Sequence, residues 1–154
     1  MKHHITTKSF TIGEVQLFYK KRITSPFQKI CSSKQANECI RQIIPVEQIN
    51  YREHMYALYL DNSNNVIGYQ LLSLGGITST LIDKRILFQG ALLTSAVAIV
   101  LFHNHPSQKL EPSRADLELT KEIKRASKIL NIKLLDHIIV TEQSYYSFAD
   151  EGEL

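Results

Sequence analysis

Tryptophan is absent from this chain of 154 residues, and cysteine (two), proline (four) and glycine (six) are scarce. Two cysteines, Cys31 and Cys39, cannot build a disulfide framework, which excludes a small cross-linked scaffold and leaves reduced thiols as the expectation. No repeat or low-complexity tract occurs, which excludes collagen-like and solenoid classes. The longest apolar run, Ala91–Phe102, is too short to cross a bilayer, and the polar opening "MKHHITTKSF" lacks the apolar core of a secretory signal. Charge of one sign is also lacking. A net +3 permits an acidic partner without demanding one, because nucleic-acid domains carry a denser basic stripe. What is present, 44% apolar and 21% charged residues, is the composition of one soluble domain with a real core. The expected location is the cytoplasm, with no membrane partner.

Hydrophobic periodicity divides the chain into short elements. "EVQLFYKKRI" (14–23) alternates as a strand does, with Lys20, Lys21 and Arg22 as a charge cluster protecting an edge. "SSKQANECIRQII" (32–44) opens on capping serines and sets Ala36, Cys39, Ile40 and Ile43 on one helical stripe that Pro45 ends. "HMYALYLD" (54–61) and "VIGYQLLSLG" (66–75) flank the turn residues "NSNN", which predicts a hairpin. "GGIT" (75–78) reads as a bend and 83–96 as a helix starting near Asp83. "AVAIVLF" (96–102) reads as a strand buried on both faces, 114–131 as a charged helix, and 133–140 and 145–149 as two more strands. Helices around a mixed sheet make the expected fold α/β (α+β) and layered, with residues 1–49 an extension packed on a domain of residues 50–154.

The stretch "LFHNHPSQKLEPSRAD" (101–116) holds the chemistry. His103 and His105 are two apart on a strand, so they share a face, with β-carbons roughly 6–7 Å apart. Imidazoles on that spacing can converge on one zinc ion, whereas Asn104 faces the other way. Pro112 and Ser113 begin a helix on which Asp116, Leu119, Ile123, Ala126 and Leu130 form one stripe. A carboxylate at Asp116 therefore faces the sheet, where it needs a partner, and a metal held by the two histidines supplies one. The competing reading needs no metal, since Ser113 and Asp116 also have the spacing of a capping box.

"HNHPSQKLEPSRAD" resembles the "HNHPSG…PS..D" signature of the RadC-like branch of the JAB/MPN (JAMM) metalloprotease domain. "LLDHIIV…YYSFADEG" resembles that family's C-terminal end, and the similarity spans residues 50–152. The resemblance implies the JAB/MPN, cytidine-deaminase-like architecture. It also implies a zinc ion on His103, His105 and Asp116 with water in the fourth position, and hydrolysis of an amide bond in a peptide or protein substrate. Ser113 would help stabilise the tetrahedral oxyanion. The family's upstream glutamate, which exchanges protons with water and leaving amine, falls on Glu53 at the head of "YREHMYALYLD", with Glu47 in reserve and His54 on the opposite face. His137 is tempting as a fourth ligand but reads as a satisfied core histidine, with Asp136 either as its partner or as an acceptor behind the ligands. The sequence departs from the pattern at Gln108, where the commonest form has glycine; that bears on loop conformation and access.

Other classes remain to be weighed. A zinc deaminase needs H-x-E and a later P-C-x-x-C, yet no cysteine follows Cys39, and H-E-x-x-H is also absent. The RadC name carries an association with DNA repair, so the alternative is a DNA-repair or DNA-processing accessory module with a weak hold on DNA through Lys121, Lys124, Arg125 and Lys128. Glu118 and Glu122 interleave with these as a solvated, salt-bridged face. A metal-binding scaffold without hydrolysis is the third reading. His3 and His4 read as a solvated terminus, and the oligomeric state is open.

Overall fold

A computed structural model describes Tyr19 and residues 28–75 and 82–154. The strand expected at 14–23, Lys20, Lys21, Arg22, His3, His4 and most of the "GGIT" bend lie outside the described residues.

The described chain runs α1 (Ser33–Ile40), a 3-10 turn (Val46–Gln48), β1 (His54–Leu60), β2 (Val66–Leu74), α2 (Lys84–Leu93), β3 (Ala98–Asn104), α3 (Arg114–Ile129), β4 (Lys133–Val140) and β5 (Tyr145–Ser147). The five strands form one sheet in the order β2-β1-β3-β4-β5, with β3 and β4 parallel and the other pairs antiparallel. This is the mixed-sheet α+β architecture expected. The β1–β2 hairpin turns where Asp61 accepts from the Ser63 and Asn65 amides and Asn64 takes φ 61°.

The sheet is buried on both faces, which is why β1 and β3 lack an exposed residue. Even-numbered β1 and β3 residues (Tyr56, Leu58, Leu60, Ala98, Val100, Phe102) pack with Ala36, Cys39 and Ile40 of α1. Odd-numbered ones (Ala57, Tyr59, Ile99, Leu101) pack with Leu87, Phe88 and Ala91 of α2 and Ile123 of α3. α2 can lie this close because residue 90 is glycine: a β-carbon there would collide with the Tyr59 hydroxyl, which donates to the Leu87 carbonyl and Gln70.

α2 and α3 end alike. The amides of Ala96 and Ile132 reach back to the carbonyls of Ala91 and Ser127, with Ser95 and Asn131 left-handed at φ 55°. These are Schellman caps feeding directly into β3 and β4. The first cap uses Ser95 and Ala96, so β3 starts at Ala98 rather than 96. α1 is shorter than expected: Arg41 caps it well before Pro45, and Arg41's guanidinium binds the carbonyls of Thr141, Glu142 and Ser144. Leu130, expected on the core stripe of α3, is exposed at the C-cap, whereas Thr120 and Ser127 are buried. Among the described residues no helix is long and apolar enough to cross a membrane.

Candidate metal centre

β3 carries His103 out of the odd-numbered, α3-facing side of the sheet, and the ladder continues one residue further through the His105 amide to the Val140 carbonyl. His105 then opens a tight turn with Pro106 second and the Gln108 amide closing on the His105 carbonyl. Gln108 stands at φ 63°, the conformation that favours the glycine of the family pattern. Its side chain holds the turn down, donating to Asn50 Oδ1 and accepting from the Glu142 amide. The loop therefore keeps its left-handed turn without the glycine.

The chain returns at Pro112 and Ser113, which caps α3. Ser113 Oγ accepts from the Asp116 amide, and Asp116 Oδ2 accepts from the Ser113 amide and hydroxyl at 2.7 and 2.6 Å. The capping-box reading and the ligand reading of Asp116 are thus not alternatives. Oδ2 closes the cap, while Oδ1 lies 3.3 Å from Nε2 of His103. The Ser113 hydroxyl hydrogen is directed to Asp116, so service to an oxyanion requires that hydroxyl to turn.

His103 Nε2 and His105 Nε2 are 2.9 Å apart, and His105 Nε2 is 3.6 Å from Asp116 Oδ2. Two donors on a tetrahedral ion at 2.0–2.1 Å stand about 3.3 Å apart, so the His103–His105 and His103–Asp116 separations have the right size for one small cation. His103, His105 and Asp116 each offer one ligand atom, all within 4.8 Å of one another. Donor chemistry agrees with size. Nδ1 of His105 lies 2.7 Å from the Lys109 carbonyl, to which it must donate, so Nε2 keeps a lone pair. The residues present therefore fit a divalent metal of the zinc type, bound by two nitrogens and a carboxylate oxygen.

The electrostatics express the same appetite for positive charge. Burial disfavours the charged form of Asp116, yet the His105 and His103 rings beside it and the Ser113 donors hold its carboxyl far below the usual range. Burial also opposes protonation of His105, but Asp116, the Lys109 carbonyl and the charge of Glu53 raise its pKa. His103, fully buried, sits well below its ordinary value because of that burial and the neighbouring His137.

Glu53 is half-buried immediately before β1, its carbonyl bonded to the Gly75 amide, and its charge is felt at His105. Glu47 is exposed on the 3-10 turn. His54 faces away from the cluster, between the Arg52 carbonyl and Gln48. Cys31 is exposed and Cys39 is buried in α1, and neither belongs to the cluster.

One reading of β4 needs correction. Asp136 is not the partner of the His137 ring. The β3–β4 bulge turns Asp136 toward α1, where it accepts from Ser147 Oγ and from the Ala149 and His137 amides. The ring partners of His137 are Thr120 Oγ1 at 2.6 Å and His103 Nδ1 at 3.0 Å. Thr120 was missed because a search for apolar periodicity passes over a buried hydroxyl; its spacing of four from Asp116 was the available signal.

A mixed sheet with a His-x-His strand end facing a capping aspartate defines an α+β domain with a residue cluster that could hold a metal ion. The model of the RadC-like JAB domain matches residues 30–153, and the chain belongs to that family. A UPF0758 protein of Flavobacterium johnsoniae is 47% identical over 125 residues, covering 81% of this chain and 53% of its own. UPF0758 proteins of Methanococcoides burtonii (37% over 127 residues, 82% of this chain, 54% of theirs) and Chlorobaculum tepidum (36% over 126, 82% and 55%) are similar too. The chain spans about half the length of these curated relatives.

Proposed function

We propose that this domain is a zinc-dependent peptidase or isopeptidase of the JAMM type, acting in the cytoplasm on an amide bond of a peptide or protein substrate. The observation that carries the reading is the convergence of His103 Nε2, His105 Nε2 and the Asp116 carboxylate at the end of β3. His103, His105 and Asp116 would hold the ion. Bound there, zinc supplies Lewis acidity, which brings a water's pKa toward neutrality and polarises an amide carbonyl. Glu53 takes the proton from the attacking water and returns it to the leaving amine. Ser113 fixes Asp116 and, by turning its hydroxyl, offers a donor to the developing oxyanion.

The DNA-accessory reading has less support. Lys121, Lys124, Arg125 and Lys128 are exposed on α3, but Glu118 approaches Lys121 at 3.5 Å and Glu122 pairs with Lys84 at 2.6 Å, which breaks up the positive face.

Elemental analysis of protein purified without chelator, with His3 and His4 replaced, tests the metal: about one zinc per chain is expected, lost in His103→Ala and sharply weakened in Asp116→Ala. No metal after zinc is offered at neutral pH would sink the proposal. Glu53→Gln should keep zinc and lose hydrolysis of a peptide library; full activity there would remove Glu53 as the base.

A further inference from the structure

Behind the donor cluster lies a buried chain of hydrogen bonds whose direction can be worked out. Thr120 Oγ1 is 2.6 Å from the main-chain carbonyl oxygen of Asp116 and 2.6 Å from Nδ1 of His137. A carbonyl only accepts, so the hydroxyl hydrogen goes to Asp116 and Oγ1 accepts from His137 Nδ1–H. His137 is fully buried, which penalises the imidazolium, so with its hydrogen on Nδ1 its Nε2 is a bare acceptor. That nitrogen lies 3.0 Å from His103 Nδ1, which must therefore be the donor. Phe148 stacks on the His137 ring at 4.7 Å and 16°, fixing its plane.

We propose that Thr120 and His137 are positioning residues that lock His103 in its Nδ1–H tautomer, so that its Nε2 lone pair faces the position of a divalent cation. The inference rests on the reading above only for the identity of the ion. The chain begins at the backbone of Asp116 and ends at the ring of His103, so it also ties the first turn of α3 to the end of β3. Neither Thr120 nor His137 touches the cation. Their effect is on which nitrogen of His103 carries hydrogen, a property set by the bond its other nitrogen makes.

Two readouts test this on the full chain. In metal-free protein at pH 8.5, long-range proton–nitrogen NMR of the imidazoles should find His103 and His137 both carrying hydrogen on Nδ1; hydrogen on Nε2 of His103 overturns the proposal. Competition with a chromophoric chelator for zinc should show Thr120→Val weakened about 10–100-fold and Thr120→Ser restored to within about threefold of wild type. Wild-type affinity in Thr120→Val, with the His103 tautomer unchanged, overturns it as well. If Thr120→Val does not fold, the wild-type spectrum and Thr120→Ser still decide. A wild-type chain that takes no zinc but shows Nδ1–H on His103 refutes the peptidase reading and supports the tautomer lock.

Discussion

His103 and Asn104 are consecutive, polar and fully buried, yet they meet opposite surroundings. On the α1 side, Asn104 is satisfied: Oδ1 accepts from the His54 amide, and Nδ2 donates to the carbonyls of Ile49 and Arg52. The bonds fasten the lead-in to β1, and so the backbone that carries Glu53. On the α3 side, His103 Nε2 stands 2.9 Å from His105 Nε2 and 3.3 Å from Asp116 Oδ1, and with the proposed tautomers all three present lone pairs. The same low dielectric that makes a satisfied polar group rigid makes converging acceptors unfavourable until a cation or a proton arrives. Burial alone does not separate a structural polar residue from a binding one; pairing does.

Three changes sharpen or break this contrast. Asn104→Ala should have the largest effect, because it strips the His54 N–H and the Ile49 carbonyl of a buried partner: a loss of about 4 kcal/mol, seen as a fall of roughly 10 °C in the thermal midpoint. A fall of only a degree or two would mean that water replaces the amide. Next is acid. Burial holds His137 down to about 4 and His103 well below its ordinary value. The unfolded chain takes up protons below about 6.5 that the folded one refuses, so stability is full above that pH and is lost as pH falls through about 4, by about 3 kcal/mol for His137. Denaturant titrations of metal-free protein from pH 7 to 4 check this, and the slope should shrink in His137→Phe to the part that His103 contributes. The smallest effect has the opposite sign. Asp116→Asn replaces an acceptor with an N–H donor toward His103, so at pH 8.5 the metal-free variant should gain about 1 kcal/mol while losing zinc. A lower midpoint would contradict the picture of competing lone pairs.

Much of this was legible in residue order. β1 and β4 stand within a residue of where alternation put them, because strands buried by helices on both sides have no competing way to satisfy an apolar run. His103, His105 and Asp116 were legible because their spacings on strand and helix project to one point. The start of β3 was not, since Ser95 adopts a left-handed cap without glycine to announce it. Nor was the early end of α1, which is decided by Arg41 reaching carbonyls about a hundred residues away in sequence. Thr120 was hidden for the opposite reason: its spacing of four from Asp116 puts it on the same face of α3, but its value lies in a tertiary hydrogen bond, which apolar periodicity does not report.

Gln108 has one more consequence. Its amide joins the turn after His105 both to Asn50, on the approach to β1, and to Glu142, between β4 and β5. In kinetic terms it is a latch. An ion held through His105, as proposed, would be freed by lifting that turn, and lifting it would break both attachments together. Residence time at such a site would then depend on a residue outside the ligand set, and a shorter side chain at Gln108 would quicken exchange while leaving every ligand in place.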